Sequence, residues 1–281
     1  MDKVKTLLSQ TPLAMVAVAV TLLASSAPAG AQSEKRTVFT ENDFHWQANL
    51  KPGQTLEIVD RNGGIDATGG SGDAAKVTGT KESWGDSHDA FVEVVEYADG
   101  ITICAVYAKD GKPGRCHRGG VDSEDHHGWS WHGEHSKLTF NVQIPRGVNF
   151  KALTTNGGIR CRDLNSVVHA STTNGNVDVS TSEWASARTT NGSVTVSMGS
   201  ANWTGEVELL STNGSVHASL PASAEFAIRA ATTNGRIHTD FPVTVQGSFG
   251  TKDLSGTVGA GGRELRVATT NGGIDLRKSG S

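Results

Sequence analysis

No hydrophobic run in this chain is long enough to cross a membrane as a helix. The longest, Leu13 to Ala24, has 12 residues where about 20 are needed. It follows Lys3 and Lys5 and ends in the small residues Ala29-Gly30-Ala31, the pattern of a secretory signal cut between Ala31 and Gln32. No cysteine stands at that cut, which argues against a lipid anchor, and Arg277-Lys278-Ser279-Gly280-Ser281 carries no sorting tail. The mature chain is therefore expected to be exported, to the periplasm, the cell surface or the medium, with no membrane span. An excess of positive charge is also missing. Loss of two lysines and one aspartate with the signal moves the formal net charge from −4 to −5, which speaks against nucleic acid as a partner.

Proline is scarce, at 7, whereas glycine is abundant, at 34. Many glycines with little helical periodicity predict short strands joined by tight turns. The expected organisation is a signal at 1–31 and one repetitive all-β domain at 32–281, irregular over 32–150 and regular over 151–281.

What recurs is Asn-Gly, at Asn62, Asn156, Asn174, Asn191, Asn213, Asn234 and Asn271. From Asn156 to Asn234 the spacings are 18, 17, 22 and 21, and the last gap of 37 suggests a degenerate copy at Ser255-Gly256. Side chains in a strand alternate between two faces. Three residues after each Asn come Ile65, Ile159, Val177, Val194, Val216, Ile237 and Ile274, which are read as core. One residue further on stand the polar Asp66, Arg160, Asp178, Thr195, His217, His238 and Asp275, read as solvent-facing. Five before each Asn come Glu57, Lys151, His169, Ser186, Glu208, Arg229 and Arg266, also read as exposed. The parity flips at the corner, where Asn and Gly would supply positive φ. Such corners fit either a β-solenoid or the turns of an antiparallel β meander or sandwich. The in-register Thr-Thr-Asn-Gly string favours the solenoid, because stacked coils place like residues in ladders about 4.8 Å apart.

The segments Ile144-Pro145-Arg146-Gly147-Val148-Asn149-Phe150 and Thr154-Thr155-Asn156-Gly157-Gly158-Ile159, the later Thr-Asn-Gly copies and the closing Thr269 to Leu276 resemble the Toastrack family of bacterial proteins. The resemblance covers about Leu56 to Leu276. It implies a stacked β fold at the cell envelope and an adhesin role that is itself inferred. The His-rich insert after Cys116 departs from it.

Three cysteines in an exported chain suggest one disulfide and one thiol. Cys104 and Cys116, flanking a short polar loop, are the expected pair, and Cys161 falls in an inward column with Val179 and Val196. No G-x-S-x-G, H-E-x-x-H or phosphate-cradling loop is present. Asp178 and Asp275 lie about five coils apart in the expected order, on the order of 24 Å, too far to act as a glycosidase pair. Adjacent coils instead place Arg160 beside Asp178 and His217 beside His238. The segment Asp122 to His135 holds His126, His127, His132 and His135, the candidate ligands for zinc, copper or nickel, with Trp129 and Trp131 between them. Its spacing matches no structural zinc motif, so a solvated loop is the plainer reading and no cofactor is required. These features predict a non-enzymatic envelope module that meets a glycan, a surface or a protein. A carbohydrate-active β-helix enzyme and a metal-binding envelope protein are the alternatives.

Overall fold

Each Asn-Gly corner carries the chain out of one β-sheet and into a second. The computed structural model describes residues 34–83, 90–107, 114–122, 136–245 and 250–279. Two large sheets, of 12 and 10 strands, enclose a shared apolar core, and the described residues contain no helix. We call the first sheet A and the second B. Seven coils each give one strand to each sheet. In chain order they are Thr55–Val59 with Ile65–Gly69, Asn149–Leu153 with Ile159–Leu164, and Val168–Ser171 with Val177–Thr181. Next come Ala185–Asn191 with Val194–Met198, Glu206–Asn213 with Val216–Pro221, Phe226–Asn234 with Ile237–Thr239, and Glu264–Asn271 with Ile274–Ser279. Adjacent coils pair in parallel and in the register of the repeat, for example Ile159 with Val177 and Lys151 with His169. The protein is thus an all-β, solenoid-like stack and not a meander. Among the described residues antiparallel pairing is confined to the two ends and to the small hairpin Arg115–His117 with Gly120–Asp122.

The corner string explains itself in this stack. The first Thr of Thr-Thr-Asn-Gly points inward and is buried, so its hydroxyl needs a partner. Thr172 Oγ1 donates to Gly157 O (2.8 Å), Thr189 to Gly175 O (2.8 Å), Ser211 to Gly192 O (2.8 Å) and Thr269 to Gly214 O (2.7 Å). Each hydroxyl therefore satisfies a corner carbonyl of the neighbouring coil. The Asn side chains form a continuous amide ladder. Asn174 Nδ2 donates to Asn156 Oδ1, Asn191 to Asn174, Asn213 to Asn191, Asn271 to Asn213 and Asn234 to Asn271, all at 2.7 or 2.8 Å. Glycine is required because coils touch there. A Cβ on Gly157 would lie 2.0 Å from Gly63 O, and one on Gly175 would lie 2.2 Å from Gly157 O. This corrects the expectation for asparagine. Among the described non-glycine residues only Asp163 has a positive φ (53°), so the corner Asn residues serve the ladder and not a left-handed turn.

The order of the coils also differs from a simple succession. The seventh coil lies between the fifth and the sixth, pairing Glu208 with Arg266 on one side and Arg229 with Arg266 on the other. Among the described residues the 37-residue gap holds no degenerate coil. Ser255 and Gly256 belong to Asp253–Val258, which runs antiparallel along the outer edge of the sixth coil. The chain passes beyond its last coil position, makes this edge, and returns to fill the vacant position.

At the other end Gly100–Tyr107 extends sheet A beyond the first coil, followed by Ala90–Tyr97 and Lys35–Phe39. Almost every residue of Gly100–Tyr107 is buried, because both faces are covered. Inward lies the main core. Outward, Cys104 and Cys116 form a disulfide that pins the hairpin against Val59, Val95 and Val106.

Candidate functional site

Of the residues singled out from sequence, Ala31, Gln32 and the loop histidines His126, His127, His132 and His135 lie outside the described residues. Among the described residues no group of three or more His, Cys, Asp or Glu side chains is arranged to hold a metal ion. Cys161 is buried, and removal from water together with the nearby Asp66 carboxylate pushes its thiol up to about 12. Such a thiol carries no thiolate for nucleophilic work near neutral pH.

The polar column after the corner forms one row across the outer face of sheet B. In spatial order it reads Asp66, Arg160, Asp178, Thr195, His217, Asp275, His238. Two expectations change here. Arg160 lies between two carboxylates and pairs with Asp66 (3.5 Å), not only beside Asp178. His217 and His238 are not neighbours, because the inserted seventh coil places Asp275 between them, at 3.8 Å from His217 Nδ1 and 3.2 Å from His238 Nδ1. Burial works against the Asp275 charge, yet hydrogen bonds from Arg277 and His238 outweigh it and hold the carboxyl below the usual range. The same insertion brings Asp178 and Asp275 to three strand steps, about 14 Å, which is still beyond a glycosidase pair. Within the row no carboxylate neighbours another.

Sheet A carries a second row, Glu57, Lys151, His169, Ser186, Glu208, Arg266, Arg229. Its first member corrects the sequence reading. Glu57 is buried under the pinned hairpin, where Lys151 Nζ (2.8 Å), Thr102 Oγ1 (2.9 Å) and the Gly119 amide (3.0 Å) satisfy its carboxylate. Glu93 plays the same part, accepting from Arg36 (3.0 Å) and the Cys116 amide (2.7 Å). His169 stands edge-on to Trp184, ring centroids 5.4 Å apart, and partial burial together with the Lys151 ammonium holds its imidazole below the ordinary value.

A shallow groove opens on each of these faces. One, of about 330 Å³ on sheet B, is lined by His217, Asp240, Asp275 and Arg277. The other, of about 420 Å³, crosses four coils of sheet A. Its wall is the outer threonine of the corner string, repeated as Thr173, Thr190, Thr212 and Thr270, and its floor is the half-buried pair Leu210 and Ala268. Arg188 and Arg266 flank it, both bonded to the single carboxylate of Glu208. Arg188 escaped the sequence reading because its column holds Val59, Leu153, Ser171, Leu210, Ala231 and Ala268 in the other coils, which masks any charge pattern.

Residues 137–277, just over half of the chain, match the Toastrack DUF4097 family model. The chain belongs to the Toastrack family. A search of curated proteins finds no match to it. Among solved structures this Toastrack chain is similar to a provisionally assigned cell adhesion protein of Clostridium sporogenes, at 11% identity, 84% of this chain, 100% of that chain and a TM-score of 0.45. Similar too are provisionally assigned adhesins of Bacteroides fragilis (10% identity, 83% and 96% covered, TM-score 0.28) and Parabacteroides merdae (8%, 84% and 96%, 0.29). The arrangement in the Toastrack stack suits recognition, since its outer faces offer hydroxyls, amides and guanidinium groups at the strand spacing.

Proposed function

We propose that the protein is an exported recognition module without catalytic activity, which presents the outer faces of its solenoid to a glycan, a surface or a protein at the cell envelope. The observation that carries this reading is the register. Coils stacked in one register repeat each outward position every 4.8 Å or so, across roughly 29 Å for seven coils. Because neighbouring coils share backbone and side-chain hydrogen bonds, that face is rigid and a repetitive ligand meets it with little ordering cost. Membership of the Toastrack family is consistent with an envelope role, and the composition of residues 1–31 supports export.

The test is direct. Purified protein is exposed to immobilised polysaccharides and to cell-envelope fractions, and the same polysaccharides are assayed for turnover. Retention without turnover is the expected result. Turnover lost on changing a single carboxylate would identify an enzyme and overturn the proposal. Export is checked separately, by N-terminal sequencing of cell-free protein, which should begin at Gln32.

A further inference from the structure

The sheet A groove has a chemistry of its own, and this inference rests on the recognition reading above. Its two long sides differ. On one, four exposed threonines stand in a straight file, one per coil, in the third, fourth, fifth and seventh coils. The inner hydroxyls, of Thr172, Thr189, Ser211 and Thr269, go to glycine carbonyls, but these outer threonines face the groove. On the other side lies Glu208, met by Arg266 directly opposite it and by Arg188 reaching over from the Leu210 column, two cations on one anion. Both arginines are about half exposed, whereas Glu208 is only 23% exposed, so the charge offered to a ligand is positive. Between the sides runs the column of Arg188, Leu210 and Ala268, the last two forming an apolar strip beside the arginine stem.

We infer that this groove binds a linear acidic glycan, a chain of uronate sugars. A uronate has three matching parts. The C–H face of its ring suits the Leu210 and Ala268 floor, its hydroxyls suit the threonine file, and its carboxylate suits a guanidinium fork, which takes planar oxyanions in two parallel hydrogen bonds. Glu208 holds both forks in place while the groove is empty and competes with the ligand for them. The chain as a whole is negative, so attraction comes from this local pair of arginines and not from the net field.

The competition gives the test its sign. Full-length purified protein is titrated with oligoguluronate by calorimetry, with a neutral cello-oligosaccharide and inorganic polyphosphate as controls. Oligoguluronate should bind, more weakly as salt rises, and the neutral sugar should not. Arg188→Ala with Arg266→Ala should weaken binding about tenfold or more, while Glu208→Gln should strengthen it several-fold. An unchanged melting temperature shows that each variant is folded. No heat with oligoguluronate, equal affinity in the double arginine variant, or polyphosphate binding as well as the uronate would overturn the assignment. If the protein still holds an envelope fraction in a manner indifferent to these variants, the groove is excluded and the recognition reading stands. If no polymer or envelope fraction is held at all, both fall.

Discussion

The glycine of each corner is the residue on which the stack depends most. Gly157→Ala drives a methyl into the Gly63 carbonyl at 2.0 Å, backbone against backbone, with no side chain able to yield. A loss of about 3 kcal/mol is expected in denaturant unfolding, whereas Gly72→Ala, which meets nothing within 4 Å, should be nearly neutral. Equal midpoints for the two would refute the contact between coils. Cys161 gives a second check at this scale. Its thiol is buried and pushed up to about 12, so native protein at pH 8 should leave it unlabelled by iodoacetamide until denaturant is added. Most of this was legible in the sequence, because Ile159, Val177 and their equivalents alternate cleanly with polar residues. Glu57 was misread because alternation says which face a side chain takes and nothing about what covers that face. The covering hairpin comes from residues some 60 positions away.

At the scale of the element, the hairpin Arg115–Asp122 rests on three kinds of tie: the disulfide, the buried carboxylates Glu57 and Glu93, and a small apolar cluster. The two cysteines are 12 residues apart, so the loop closed is short and the chain-entropy gain is modest, about 3 kcal/mol. Changing both cysteines to alanine should raise amide exchange across 115–122 and lower the melting temperature while the coils stay folded. Unaltered exchange in the hairpin would show that the carboxylates suffice to hold it. The run Ile101 to Val106, apolar except for Thr102, marks a strand covered on both faces, a feature that reading the Asn-Gly repeat alone passes over.

At the scale of the molecule, the unexpected feature is the last coil inserted between the fifth and the sixth. A repeat read from sequence assigns spatial neighbours by chain order, and the copies are too alike to reveal an exchange of places. Any of them fits beside any other in the same register. A cysteine pair at Asn213 and Asn271 should therefore cross-link readily, and a pair at Asn213 and Asn234 should not, as seen by gel shift on oxidation. The reverse pattern would restore the simple order. The exchange also brings Arg266 and Thr270 beside Glu208 and Thr212 and so completes the sheet A groove. The most direct measurement of the whole account is the NMR footprint of oligoguluronate on the isotopically labelled protein. Shifts confined to Ser171–Thr173, Arg188–Thr190, Leu210–Thr212 and Arg266–Thr270 are predicted, whereas shifts confined to the outer face of sheet B, or none at all, would contradict it.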